Sequence, residues 1–364
     1  MARQETATLR RGWTTGACAA AAARAAFQAL LTGEFLDPVA IRLPRGQTPA
    51  FPLALAEKSD GRARAGIVKD AGDDPDVTHG ALVIADLVWA IPGSGIRFHA
   101  GEGVGTVTRP GLALAVGEPA INPAPRAIIC GTLADLAEAN GAPSPDLEVT
   151  IAIPGGERLA EKTMNARLGI VGGLSVLGTT GIVVPYSCSS WIAAIQRGID
   201  VARAAGYTHI AAATGSTSER AAQRFYDLPD AALIDMGDFV GGMLKYLRRH
   251  PVPRLTLAGG FAKLAKLAQG HLDLHSSRSR LDAAALADVL AGLGADPATV
   301  AAAAEADSAG AILELAGNRR EALAEAIARQ AREVALATLS GATAVEVAII
   351  DRNGAFLARV GAGA

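Results

Sequence analysis

The sequence predicts an α/β protein in two parts: an α+β domain over residues 1–155, then a doubly wound, mostly parallel α/β domain over 156–364 with a helical C-terminal section. Three observations point there. A chain of 364 residues is longer than one hydrophobic core commonly serves. Short β-rich runs crowd the first part among few helices. Beyond residue 174, strand-like and helix-like runs alternate, the pattern of a parallel sheet.

In chain order, residues 17–31 read as an Ala-rich helix, capped by Thr14 or Thr15 and ended by Gly33. The runs VAIRL and FPLAL within 38–55 read as short strands. GIVKD carries a strand into an acidic loop, and ALVIADLVWAI (81–91) is β-rich. Strand-like flanks surround GEGVGT (101–106). Residues 127–140 read as a helix and LEVTIAIP (147–154) as a strand. In the second part, LSVLG (174–178), HIAAATG (209–215), ALIDMG (232–237) and RLTLAGG (254–260) read as strands. Helices follow at 189–206, 239–250 and 261–270. Residues 281–341 are helical. AVEVAII, Asn353-Gly354 and AFLARV form a closing hairpin.

Composition excludes several classes. The net charge of -2 offers no basic face for nucleic acid. No apolar run reaches the ~18 residues of a membrane span. Arg10-Arg11 before the Ala-rich run imitates an export signal, but Arg24 interrupts that run and a soluble helix fits better. Cys18, Cys130 and Cys188 are odd in number and far apart, which suits a reducing, cytoplasmic setting. Homo-oligomerisation stays open.

The densest chemistry is VKDAGDDPDVTHG (68–80). Asp70, Asp73, Asp74, Asp76 and His79 share 13 residues. Crowded carboxylates raise one another's pKa, which suits a general base. The EF-hand pattern fails, because position 12 from Asp70 is Ala81. GEGVGT leads into β-branched residues rather than a helix, so it reads as a β–turn–β ligand loop and not a dinucleotide cradle. Gly178-Thr179-Thr180-Gly181, fed by a strand, reads as a ligand loop at a sheet mouth. Arg109, Arg126, Lys162 and Arg167 flank these motifs, and arginine clamps planar carboxylates well. His271 and His275 are four apart but lack the glutamate of HExxH, and no metal site is assigned.

These stretches resemble the cobalt-precorrin-5B C1-methyltransferases, the CbiD family of cobalamin biosynthesis. The resemblance rests on GWTTGACAAAA (12–22), VKDAGDDPDVTHG, GEGVGTVTRPGL (101–112), VGEPAINPAPR (116–126), KTMNARLGIVGGLSVLGTTGIVVPYS (162–187), DFVGGML (238–244) and KLAKLAQG (263–270). It departs at Trp13, Ala17, Gly259, Gly260, Ala262 and Leu274.

The resemblance implies transfer of a methyl group from S-adenosylmethionine to C1 of a ring-contracted tetrapyrrole bearing many carboxylate arms. It implies Asp70 or Asp74, with His79, as catalytic residues. Substrate would be held by Thr14, Thr15, Gly16, Asp73, Asp76, Glu102, Arg109, Asn122, Arg126, Lys162, Asn165, Arg167 and His275. S-adenosylmethionine would be held by Gly178, Thr179, Thr180, Gly181, Gly215 and Asp238. Competing readings are the metal-free precorrin as substrate, a nicotinamide-dependent oxidoreductase and a non-catalytic tetrapyrrole carrier.

Overall fold

The computed structural model describes residues 9–341 and 343–361. The chain divides into two compact units, Met1–Ser187 and Cys188–Ala364. The division falls well beyond the expected 155/156 boundary. The reason is that residues 156–187 thread back through the first unit. Leu174 N–H donates to Gly103 (2.8 Å), Val176 N–H to Ala120 (2.8 Å) and Thr14 N–H to the Gly181 carbonyl (3.0 Å).

In the first unit, helix α1 (Thr15–Thr32) begins where Thr14 Oγ1 accepts from Ala17 N–H and ends at left-handed Gly33. Ala17 to Ala23 are fully buried. A helix apolar on every side belongs in a core. Its methyl-sized side chains let α2 (Pro123–Ala139) and the sheet approach closely. That helix starts four residues earlier than expected, because Pro123 needs no backbone N–H at the first helical position. The five-stranded sheet comprises β1 (Leu55–Ser59), β2 (Arg62–Val68), β3 (Leu82–Trp89), β4 (Ile96–Ala100) and β5 (Leu147–Ala152), in the order β1-β2-β3-β5-β4. All neighbours are antiparallel except β4 with β5.

The strand expected over 174–178 is absent. Leu174 and Val176 instead form isolated bridges with Val104 and Ile121. Glycine–glycine contact makes this weave possible. A Cβ at Gly173 would lie 2.3 Å from the Gly103 carbonyl oxygen.

The second unit is doubly wound. It runs α3 (Cys188–Ala204), β6 (His209–Ala213), α4 (Ser216–Tyr226), β7 (Leu233–Asp235), α5 (Val240–Leu247), β8 (Arg254–Gly259) and α6 (Phe261–Ala268). Then follow α7 (Ala283–Gly292), α8 (Pro297–Ala304), α9 (Ala309–Leu315), α10 (Arg320–Leu339) and the hairpin β9 (Ala344–Ile350) and β10 (Phe356–Gly361). The sheet order is β7-β6-β8-β9-β10. The first four strands are parallel and β10 closes antiparallel. The chain winds outward from β6 to β7, then crosses to β8 on β6's other side. The switch point therefore lies between β6 and β8, where α/β sheets bind ligands.

Candidate functional site

The acidic loop resolves into separate structural pairs. Arg10 forks onto Asp70, with Nη2 2.9 Å from Oδ1, and Gly72 N–H donates to the same oxygen at 2.9 Å. These hydrogen bonds hold the Asp70 carboxyl down to about 2. Asp73 accepts from Arg10 N–H at 2.6 Å. Asp76 pairs with buried Lys69 and accepts from Thr78 N–H (2.8 Å) and its hydroxyl (2.6 Å). Burial pushes Asp76 up, but Lys69 and Thr78 outweigh it and hold it below the ordinary range. His79 Nδ1 accepts from Ala71 N–H at 3.1 Å. The expectation of carboxylates raised by mutual repulsion is thus corrected for Asp70 and Asp76, each of which meets a cation and N–H or O–H donors.

The loop's main role in the fold is to hold the segment before α1. Trp13 N–H donates to the Asp70 carbonyl at 2.7 Å. Gly12 packs on the Ala71–Gly72 peptide so closely that a Cβ would sit 2.0 Å from the Ala71 carbonyl carbon. Asp74 stands apart. Its Oδ1 accepts from Tyr186 N–H at 2.8 Å, and it is half-buried.

The start of α1 is similarly occupied. Thr14 Oγ1 caps Ala17, and Gly16 N–H donates to Leu177 at 2.9 Å. Thr15 is buried. At the helix terminus read as a carboxylate site, the N–H groups of Thr14 and Gly16 go to Gly181 and Leu177. Gly178 of the Gly178-Thr179-Thr180-Gly181 turn therefore lies against Thr14, within the first unit. Thr180 Oγ1 turns back to Ile182 N–H at 3.3 Å, while Thr179 is exposed.

Among the arginines, Arg126 is spent: Nε donates to Ile121 (2.8 Å), and Nη2 to Glu118 (2.8 Å) and Pro119 (3.2 Å). Arg109 lays its alkyl stem over Gly169 and exposes its guanidinium. Arg167 is half-buried, and Lys162 and Glu102 are exposed. Asn165 is structural, with Nδ2 donating to Gly173 (2.9 Å) and Oδ1 accepting from Ser175 (3.2 Å). Asn122 leads into α2 and donates to Val176 at 3.3 Å. In the second unit, exposed His275 places Nδ1 2.8 Å from Ser277 Oγ.

The most ligand-ready geometry is the switch point of the second unit. Strand β6 ends in Thr214-Gly215 and β8 in Gly259-Gly260. Thr214 N–H donates to Ala258 at 3.0 Å across the gap. Gly215 and Gly260 begin α4 and α6, and neither helix has a side-chain cap. A Cβ at either glycine would meet open space. Uncapped helix N-termini offer N–H groups and positive potential to an anion. Asp238, after β7, lies 2.7 Å from Lys263 Nζ, and Lys263 reaches the Thr214 carbonyl at 3.4 Å. Beside it, Trp191 Nε1 donates to Asp235 (3.2 Å), and its ring packs on Gly237.

Gly215 and Asp238 are thus brought to one sheet edge. Thr214 and Lys263 were missed, as was all of α4. The sequence carried a signal for α4: Ser216-x-x-Glu219 straight after a strand is a capping-box pattern.

An open-sheet α/β unit with an accessible switch point defines the class: proteins that bind a ligand at the carboxyl ends of parallel strands. Comparison with known proteins identifies the family. The CbiD model matches residues 2–185, and the model described as CbiD, C-terminal domain, matches 273–361. A relative from Paramagnetospirillum magneticum, named cobalt-precorrin-5B C(1)-methyltransferase, is 60% identical over 95% of this chain and 96% of its own. Relatives of the same name from Brucella anthropi and Methylorubrum extorquens are each 58% identical, over 98% and 97% of this chain and 97% and 98% of theirs. A crystal structure of the cobalamin biosynthesis protein CbiD from Archaeoglobus fulgidus is 30% identical over 74% of this chain and 83% of that one, with a TM-score of 0.41. The chain belongs to the CbiD family.

Proposed function

We propose that this chain methylates C1 of cobalt-precorrin-5B, giving cobalt-precorrin-6A in corrin ring synthesis, with S-adenosylmethionine as methyl donor. The activity follows from full-length similarity to relatives bearing that name. The observation that carries the donor assignment is the open switch point of the second unit.

Its residues fit the donor. Two uncapped helix N-termini suit a carboxylate, Asp238 can accept from ribose hydroxyls, and the bare glycines admit a flat ring close to the backbone. When bound, S-adenosylmethionine supplies an electrophilic methyl group on a sulfonium. Holding that group and the macrocycle in line accounts for much of the rate. Thr179 and Thr180 belong to the first unit and are left out of this set.

Asp74 is our choice of base for the macrocycle proton. Only its Oδ1 is engaged among the described residues, whereas Asp70 is forked by Arg10 and held too low to take a proton near neutrality. Exposed Arg109 is left to bind a carboxylate arm. A cytoplasmic setting agrees with free thiols at Cys18, Cys130 and Cys188.

Calorimetric titration with S-adenosylhomocysteine, followed by mass analysis after incubation with cobalt-precorrin-5B, tests the reading. Binding and a product heavier by one methylene are expected. Macrocycle binding without either would make the chain a carrier.

A further inference from the structure

Beside the switch point lies a second feature that this assignment leaves unused. A cavity of about 400 Å³ opens between α4 and the β9–β10 turn. Thr217, Arg220 and Arg224 line it from one face of α4, and Arg352 and Asn353 from the turn. The three arginine side chains are exposed, and no hydrogen bond or ion pair engages them among the described residues. No carboxylate lines the cavity. Two carboxylates adjoin these arginines in sequence: Asp351 accepts from Asn353 N–H and Ala355 N–H at 2.8 Å each, and half-buried Glu219 lies outside the lining.

One wall is fixed. Phe225 lies under Arg359 at 4.1 Å and against Phe356 at 5.0 Å. Arg359 shares fully buried Glu346 with Arg254, its Nε 3.0 Å from Oε1. Arg220, Arg224 and Arg352 add their positive charge beside this group. Three unpaired guanidiniums around one cavity repel one another until an anion joins them, and planar forks favour carboxylate or phosphate. Thr217 stands two residues beyond Gly215, so the groove begins at the same sheet edge as the donor crevice.

We propose that this arginine groove binds carboxylate arms along one edge of the macrocycle, presenting the substrate next to the donor crevice of the same unit. The proposal rests on the reading of the substrate as a polycarboxylate tetrapyrrole. The cavity is small for such clefts and takes an edge rather than the whole ring.

The test is titration of the full chain with uroporphyrin, a soluble porphyrin carrying acetate and propionate arms. The R220Q/R224Q and R352Q variants are compared with R329Q, which removes one charge from α10 as R352Q does from the turn. The groove variants should weaken binding at least about tenfold and raise KM for the macrocycle with kcat unchanged. R329Q should match the parent, and millimolar inorganic phosphate should not displace the porphyrin. Unchanged porphyrin affinity in both groove variants overturns the proposal. Displacement by phosphate, with the same arginine dependence, also overturns it by assigning the groove to a phosphate ligand. If the parent binds porphyrin through these arginines but never methylates, the activity reading fails and the groove stands. If the variants methylate with unchanged KM, the groove fails and the activity stands. Thermal melts confirm that each variant is folded.

Discussion

The two units treat their polar side chains in opposite ways. In the first, nearly every charged or amide group in the densest motifs is consumed by the fold. Asp70 and Asp73 hold Arg10, Asp76 holds buried Lys69, Arg126 holds Glu118, and Asn165 holds the Gly173 carbonyl. In the second, the sheet edge leaves two helix N-termini uncapped and three arginines unpaired among the described residues. The reason is topological. The first unit weaves distant loops across one another, and each crossing needs partners for its buried backbone. The second winds regularly, so its strands satisfy one another and the edge keeps two helix N-termini without side-chain caps. A dense motif therefore marks a crossing point as readily as a binding site.

The largest effect that could break this comparison is at a crossing. Gly173→Ala must push a methyl group into the Gly103 carbonyl, and Gly12→Ala into the Ala71 peptide. Each should cost about 3 kcal/mol or more, because backbone cannot yield as a flexible side chain does. Denaturant melts that shift by less than half of that would show the weave to be loose.

Next comes Glu346, the ion-pair centre of the second unit. Burial pushes its pKa up, but hydrogen bonds from Arg254 and Arg359 outweigh that and hold it below the usual range. Glu346→Ala strands Arg254 and Arg359 and should cost about 3–5 kcal/mol. Calorimetric unfolding checks it, and a small loss would mean that water already reaches the pair.

A sharper contrast sets Asp238→Asn against Asp70→Asn. The first should weaken S-adenosylhomocysteine binding about tenfold, near the 1.4 kcal/mol of one lost charged hydrogen bond, with little change in melting. The second should leave that affinity alone and loosen only the Arg10 segment. The reverse result would move the donor site to the first unit.

The smallest effect is pH dependence. Asp70 is ordinarily near 3.8 and is held at about 2 in the fold. A depressed carboxylate contributes stability above its unfolded pKa and loses it as pH falls through the folded one. The Arg10 contact should therefore weaken between about pH 4 and 2. Both partners are largely exposed, which limits the loss to less than about 1 kcal/mol. Melts of the parent and Asp70→Asn over that range should converge at the acid end.

The sequence by itself determined the α1 core helix, since an alanine run with Thr14 before it and Gly33 after it permits little else. It likewise determined the alternation that builds the parallel sheet, and the family. Only the tertiary structure decided what the polar residues do. Whether Asp70 is a base or an anchor depends on Arg10, 60 residues away in the chain, and local spacing carries no information about that pairing. The same holds for Gly178, whose packing on Thr14 joins residues far apart in the chain. Arg220, Arg224 and Arg352 belong to no motif, yet the hairpin turn brings Arg352 to the face of α4. Periodicity and capping are local and written in neighbouring residues. Charge compensation is set by whatever the fold places alongside.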